Sequence, residues 1–145
     1  MYVSDLSVNY ETSSGDVHAL ENVDFQLEDN ESIGIAGESG CGKSTLGLSI
    51  IKMIQGGKII AGEITLGEKS ILNMSESEFD DIIRWKEISM VFQGAMNSLD
   101  PVFTIEQQFD QILKQHNFTG DFKKTMYDSL DTVNLSHSIL KKYPH

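Results

Sequence analysis

A chain of 145 residues with 39% hydrophobic residues and 12 glycines has the composition of an ordinary globular protein. Its length suffices to bury roughly two-thirds of the unfolded surface, which excludes wholesale disorder. The 11 basic against 22 acidic residues, a net charge of −11, oppose binding to nucleic acid or anionic lipid, both of which need clustered Lys and Arg. A single cysteine, no apolar run near ~18 residues and no basic-then-apolar leader at Met1-Tyr2-Val3-Ser4-Asp5 argue against a disulfide scaffold, a membrane span and a secretory signal.

Val3, Leu6, Val8 and Tyr10 carry the apolar character of a first strand, Tyr2 to Tyr10, with polar residues between them. Thr12-Ser13-Ser14-Gly15-Asp16 is a turn cluster, and Leu20, Val23, Phe25 and Leu27 mark a second strand. After a turn at Asp29-Asn30, the β-branched run Ser32-Ile33-Gly34-Ile35-Ala36 reads as a short strand buried on both faces, as in a parallel sheet. From Lys43 to Gln55 the period changes. Leu46, Ile50, Ile51, Met53 and Ile54 fit one helical face, and Gly56-Gly57 is read as the stop. Ile59 to Leu66 returns to strand character, and Ser75 to Ile83 reads as a helix with Ser75 and Glu78 in capping-box spacing. Ile88 to Phe92 is a further β-rich run. Thr104 and Gln107 form a second capping pair ahead of Ile105, Phe109, Ile112 and Leu113, and another helix is expected from Asp121 through Phe122, Met126, Leu130 and Val133. Residues 1–93 are thus expected to be β-rich around one buried helix, and residues 94–145 mostly helical, with the boundary where Gly94, Asn97, Ser98 and Pro101 gather.

Between the third strand and the first helix lies Gly37-Glu38-Ser39-Gly40-Cys41-Gly42-Lys43-Ser44-Thr45. Two glycines five apart, followed by Lys and Ser, form the phosphate-loop pattern. Glycines let the backbone curl tightly enough to aim N–H groups at phosphate oxygens. The helix N-terminus that follows carries free N–H groups and partial positive charge. Lys43 can reach the β- and γ-phosphates, and the Ser44 hydroxyl can hold Mg²⁺. Cys41 reads as a small residue fitted into a tight loop.

With its Gln93 fifty residues beyond Lys43, Ile88-Ser89-Met90-Val91-Phe92-Gln93-Gly94-Ala95-Met96-Asn97-Ser98-Leu99-Asp100-Pro101 resembles the Q-loop of ABC-transporter ATPases. Its Met-Asn-Ser-Leu-Asp-Pro continuation looks like the oligopeptide/dipeptide importer branch. Val8-Asn9-Tyr10 with His18-Ala19-Leu20-Glu21-Asn22-Val23 resembles the opening hairpin of the same family, and Lys142-Tyr143-Pro144-His145 resembles the lead-in to its signature sequence. The resemblance implies an α/β fold: a P-loop NTPase core of ABC type, with an N-terminal antiparallel hairpin region and a parallel sheet around the phosphate loop, followed by the start of an α-helical subdomain. It implies that Tyr10 stacks on adenine; the alternative for this residue type is an aromatic packed in a small sheet. Ala19 would lie beside the same base, residues 37–45 would cradle the phosphates, and Gln93 would ligand Mg²⁺ and help place the attacking water. Gly94 to Pro101 would couple the ATP site to membrane subunits.

The implied activity is hydrolysis of Mg·ATP driving solute import, by a head-to-tail pair of ATPase subunits on integral-membrane permeases, at the cytoplasmic face of the membrane. Peptide, nickel and some oligosaccharide importers share this ATPase type. After Gln93 no apolar strand ends in Asp-Glu, and the signature sequence and switch histidine are not found; His116, His137 and His145 read as surface or helix residues. The chain is therefore expected to be the N-terminal part of a longer ATPase, inactive alone. The alternative is a soluble phosphate-loop nucleotide-binding module with no transport role.

Overall fold

The computed structural model describes residues 1–94 and 98–144. Ala95, Met96 and Asn97 of the Q-loop-like segment, and His145, lie outside the described residues. The chain divides into two compact units, Met1–Met90 and Val91–His145.

The first unit is built on a four-stranded antiparallel sheet. Strands β1 (Tyr2–Thr12), β2 (Gly15–Gln26), β3 (Gly57–Leu66) and β4 (Lys69–Ser70) lie in the order β2-β1-β3-β4. Both β2 and β3 pair with β1. The spacing Val3, Leu6, Val8 would turn Val3 away from the other two in a regular strand, because successive side chains alternate faces. A bulge removes the conflict. Asp5 takes φ 49°, the register with β2 slips between Val3 and Leu6, and all three apolar side chains become fully buried. The neighbouring strands adapt at the same level. Asn22 of β2 takes φ 47° and Gly62 of β3 φ 101°, and a Cβ on Gly62 would stand 2.5 Å from Leu6 Cα. Val3, Leu6, Val8, Leu20, Leu46, Ile64, Ile71, Phe79 and Ile83 form the core of this unit.

Helix α1 (Lys43–Ile50) ends five residues before the expected Gln55. Lys52 adopts φ 54°, the Lys52 N–H bonds to the Ser49 carbonyl (3.2 Å) and the Met53 N–H reaches back to Leu48 (2.8 Å). This is a Schellman closure with lysine in the usual glycine place, and it leaves Met53 exposed. Helix α2 (Glu76–Ile82) starts where expected, with Ser75 Oγ accepting from Glu78 N–H. It drives Phe79 into the core, and the cationic groups of Lys52 and Arg84 lie 5.4 and 5.2 Å from the Phe79 ring centre.

Two expected strands are corrected. Ser32–Ala36 is exposed, with Ile33 and Ile35 open to solvent, and it joins no ladder among the described residues. The parallel sheet expected around the phosphate loop is not found among the described residues. Among the described residues Ile88–Phe92 makes one isolated bridge, Arg84 to Ile88, because Ile88 is drawn into a turn by bonds to Ile83 and Trp85. A β-branched apolar run records a preference for burial in a sheet, but a ladder also needs a neighbouring strand, and the described residues supply none.

The second unit is helical. Helices α3 (Ile105–Gln115) and α4 (Phe122–Thr132) precede a short 3-10 turn, His137–Lys141. Thr104 and Gln107 complete both halves of their capping box, and Asp121 caps α4. Met126, Leu130 and Leu140 are buried against Ile105, Phe109, Leu113, Phe122 and Tyr127. His137 is bound to Asp131 at 2.8 Å and stacks on Tyr127, as befits a histidine with a packing role. His116 caps the C-terminal end of α3.

Candidate functional site

The loop from Gly37 to Gly42 runs into α1, and three glycines there have distinct duties. Gly40 and Gly42 take φ 85° and 93°, which side chains disfavour. Gly37 needs space instead: a Cβ there would lie 2.6 Å from the sulfur of Cys41, which folds back across the loop. Gly42 needs both, since its Cβ would meet the Ala19 carbonyl oxygen at 2.5 Å and Leu20 Cδ2 at 2.8 Å. Strand β2 therefore presses directly on the point where the loop becomes helix. The Leu46 N–H closes the first helical turn on the Gly42 carbonyl at 2.9 Å.

The N-terminus of α1 differs from those of α2, α3 and α4. Those three have side-chain caps from Ser75, Thr104 and Asp121. At α1 the cap is Gly42, with no side-chain hydrogen bond and no acidic residue in the first turn. Its first N–H groups keep their donor capacity, and no carboxylate of the first turn offsets the partial positive charge. Lys43 adds a full charge. Its ammonium curls over the loop, donating to the Gly37 carbonyl (2.8 Å) and the Glu38 carbonyl (2.6 Å), with Cys41 Sγ at 3.3 Å. Ser39 and Ser44 are exposed, and Thr45 is half-buried with its carbonyl accepting from Ser49 Oγ. The arrangement can bind a multiply charged oxyanion.

Of the other residues singled out in the sequence, Ala19 is brought against the loop at Gly42. Tyr10 is half-buried on β1, paired with Val17 of β2 and Gly57 of β3. Gln93 is exposed in a turn at the start of the second unit, followed by Gly94 at φ 73°. Two contributors escaped sequence reasoning. Leu20 reads only as a strand residue, yet its side chain closes on Gly42. Gly57 reads as part of a helix stop, yet it lies under the Tyr10 ring.

The family model described as ABC transporter matches residues 20–144. The chain belongs to the ABC transporter family. Among its relatives are the oligopeptide transport ATP-binding protein AppD of Bacillus subtilis, 35% identical over 99% of this chain and 45% of that protein. The oligopeptide transport ATP-binding protein OppD of Escherichia coli is 34% identical over 99% of this chain and 43% of its own length. The dipeptide transport ATP-binding protein DppD of Lactococcus lactis is 35% identical over 99% of this chain and 42% of its own. The chain thus spans less than half the length of these curated relatives. A solved structure titled as the dimeric MJ0796, a bacterial ABC transporter cassette, superposes with a TM-score of 0.83 at 24% identity, covering 99% of this chain and 61% of that one. The ABC-type α/β fold expected from the resemblance is therefore borne out at the level of the cassette.

Proposed function

We propose that this chain is the nucleotide-binding part of an ATP-driven importer of oligopeptides or dipeptides. The observation that carries this reading is the phosphate loop: an uncapped, acid-free helix N-terminus with the Lys43 ammonium folded over it. Residues 37–45 bind the phosphates, with Lys43 offsetting charge on the β- and γ-phosphates. Tyr10 supplies the face on which adenine stacks, and Ala19 lies beside the same base.

The residues present fit a magnesium ion. Mg²⁺ takes oxygen ligands and usually keeps one or two from protein, the rest coming from phosphates and water. The Ser44 hydroxyl, exposed at the second residue of α1, is such a ligand, and the family resemblance implies Gln93 as another. Among the described residues no cluster of His, Cys, Asp or Glu could hold a metal without the nucleotide. When bound, the ion would offset the negative charge of the phosphates. Gln93 also orients the attacking water.

Residues 1–93 form the first part of the ATP-binding core, and 94–145 the Q-loop and the start of the helical subdomain. The functional unit is a head-to-tail pair of such subunits docked on permease subunits at the cytoplasmic face of the membrane. Among the described residues no helix is long and apolar enough to cross a membrane, consistent with a peripheral subunit. Among the described residues no strand follows Gln93, and loss of one transition-state group costs ~10²–10³ in rate. The chain alone is expected to bind Mg·ATP without steady turnover. The transport reading is tested by uptake of labelled dipeptides and oligopeptides into vesicles carrying the whole transporter. Lys43→Ala should abolish uptake; undiminished uptake, or uptake of an unrelated solute alone, would contradict it.

A further inference from the structure

Gly57 has no backbone reason to be glycine. Its neighbour Gly56 takes φ 71°, whereas Gly57 is not among the positive-φ residues. The helix stop that the Gly56-Gly57 pair suggested is made earlier, by the closure at Lys52. What Gly57 provides is space. A Cβ built there would stand 2.8 and 3.0 Å from Cε1 and Cζ of Tyr10 and 2.7 Å from Cγ2 of Ile54. Tyr10 and Gly57 are direct cross-strand partners. The aromatic ring thus leans across the bare backbone of β3, beside the Ile54 methyl, instead of standing clear of the sheet.

We infer that Gly57, with Ile54, is the seat that fixes the tilt of the Tyr10 ring, and that it is a positioning residue for the adenine base. The inference rests on the nucleotide reading above. It also connects the two ends of a nucleotide site through one short stretch of chain: α1 begins at the phosphate loop, and the segment following it delivers Ile54 and Gly57 to the ring. The three atoms nearest a methyl group at residue 57 are all side-chain atoms, which can swing away. The strand therefore survives the substitution, and the displacement falls on the ring.

The test compares Mg·ATP with inorganic tripolyphosphate, which has the phosphates but no base, by equilibrium titration of the full 145-residue chain. Tyr10→Ala should weaken Mg·ATP on the order of ten-fold, the size of one base–aromatic stack, and leave tripolyphosphate unchanged. Gly57→Ala should show the same selective loss, and it should cost nothing further in a Tyr10→Ala background, because it acts through that ring. Unchanged tripolyphosphate affinity also shows that the variant is folded at the loop. Equal weakening of both ligands, unchanged Mg·ATP affinity, or losses that add in the double variant would each overturn the inference while leaving the phosphate loop standing. A wild-type chain that binds neither ligand would overturn the nucleotide reading and this inference with it.

Discussion

Gly42→Ala places a methyl group 2.5 Å from the Ala19 carbonyl oxygen and 2.8 Å from Leu20 Cδ2, at a backbone φ of 93°. The left-handed conformation costs a non-glycine residue about 1–2 kcal/mol. The steric conflict adds about 1–3 kcal/mol, the usual cost of overpacking. Little relief is available there, because the nearest atom is backbone of β2, held beside β1 through the Val8–Leu20 pair. Gly40→Ala is the control: φ is 85°, but nothing lies within 4 Å of its would-be Cβ, so only the backbone cost of about 1–2 kcal/mol applies. Thermal unfolding of the two variants isolates the contact with β2. At roughly 3–5 °C per kcal/mol for a chain of this size, Gly42→Ala should melt several degrees below Gly40→Ala. It should also weaken Mg·ATP more, since the methyl group pushes the N-terminus of α1 off β2. Melting temperatures within a degree of each other would refute the idea that β2 braces the loop.

Gly62→Ala should be the most damaging substitution in the sheet, at about 3 kcal/mol or more, because its Cβ would lie 2.5 Å from Leu6 Cα and 2.7 Å from the Asp5 carbonyl carbon and oxygen; chemical denaturation measures it, and a loss under 1 kcal/mol would contradict the bulge packing. Thr104→Ala removes the acceptor for the Gln107 N–H and should cost about 1 kcal/mol, visible as faster amide exchange at Gln107 and lower helical content. Lys58 donates to Glu11 at 2.5 Å on the open face of the sheet. That hydrogen bond first, and the Lys58 charge second, hold the Glu11 carboxyl below its usual range, while the same bond and the Glu11 charge hold the Lys58 ammonium above its own. The contribution of Glu11 is therefore complete above the ordinary carboxylate range and lost as pH falls through its lowered value; that of Lys58 is complete below the ordinary lysine range and lost as pH rises through its raised value. Between them the pair's effect is flat and small, and salt screens it. A stability difference between wild type and Glu11→Gln that persists in strong acid or grows with salt would contradict this.

Local chemistry was legible in the sequence wherever a residue's role depends on near neighbours. The capping pairs at Ser75 and Thr104 start their helices as read, Asp121 caps α4, and Gly40 and Gly42 supply the tight backbone that the glycines of the phosphate loop lead one to expect. Roles set by distant partners were not legible. Ser32–Ala36 has the composition of a buried strand, but pairing depends on a neighbour elsewhere in the chain. The end of α1 depends on Lys52 accepting a conformation usually left to glycine. The contacts of Leu20 with Gly42 and of Gly57 with Tyr10 join residues 22 and 47 positions apart, so nothing local announces them.

Calorimetric titration of Mg·ATP into the purified chain, beside Lys43→Ala, tests the nucleotide site most directly. Saturable binding that the substitution abolishes or weakens at least ten-fold is the expected result, since a charge-assisted contact to phosphate is worth about 1.5–3 kcal/mol. Binding that is absent in the wild type, or equal in both proteins, would contradict the assignment of Gly37–Thr45 as the phosphate-binding loop.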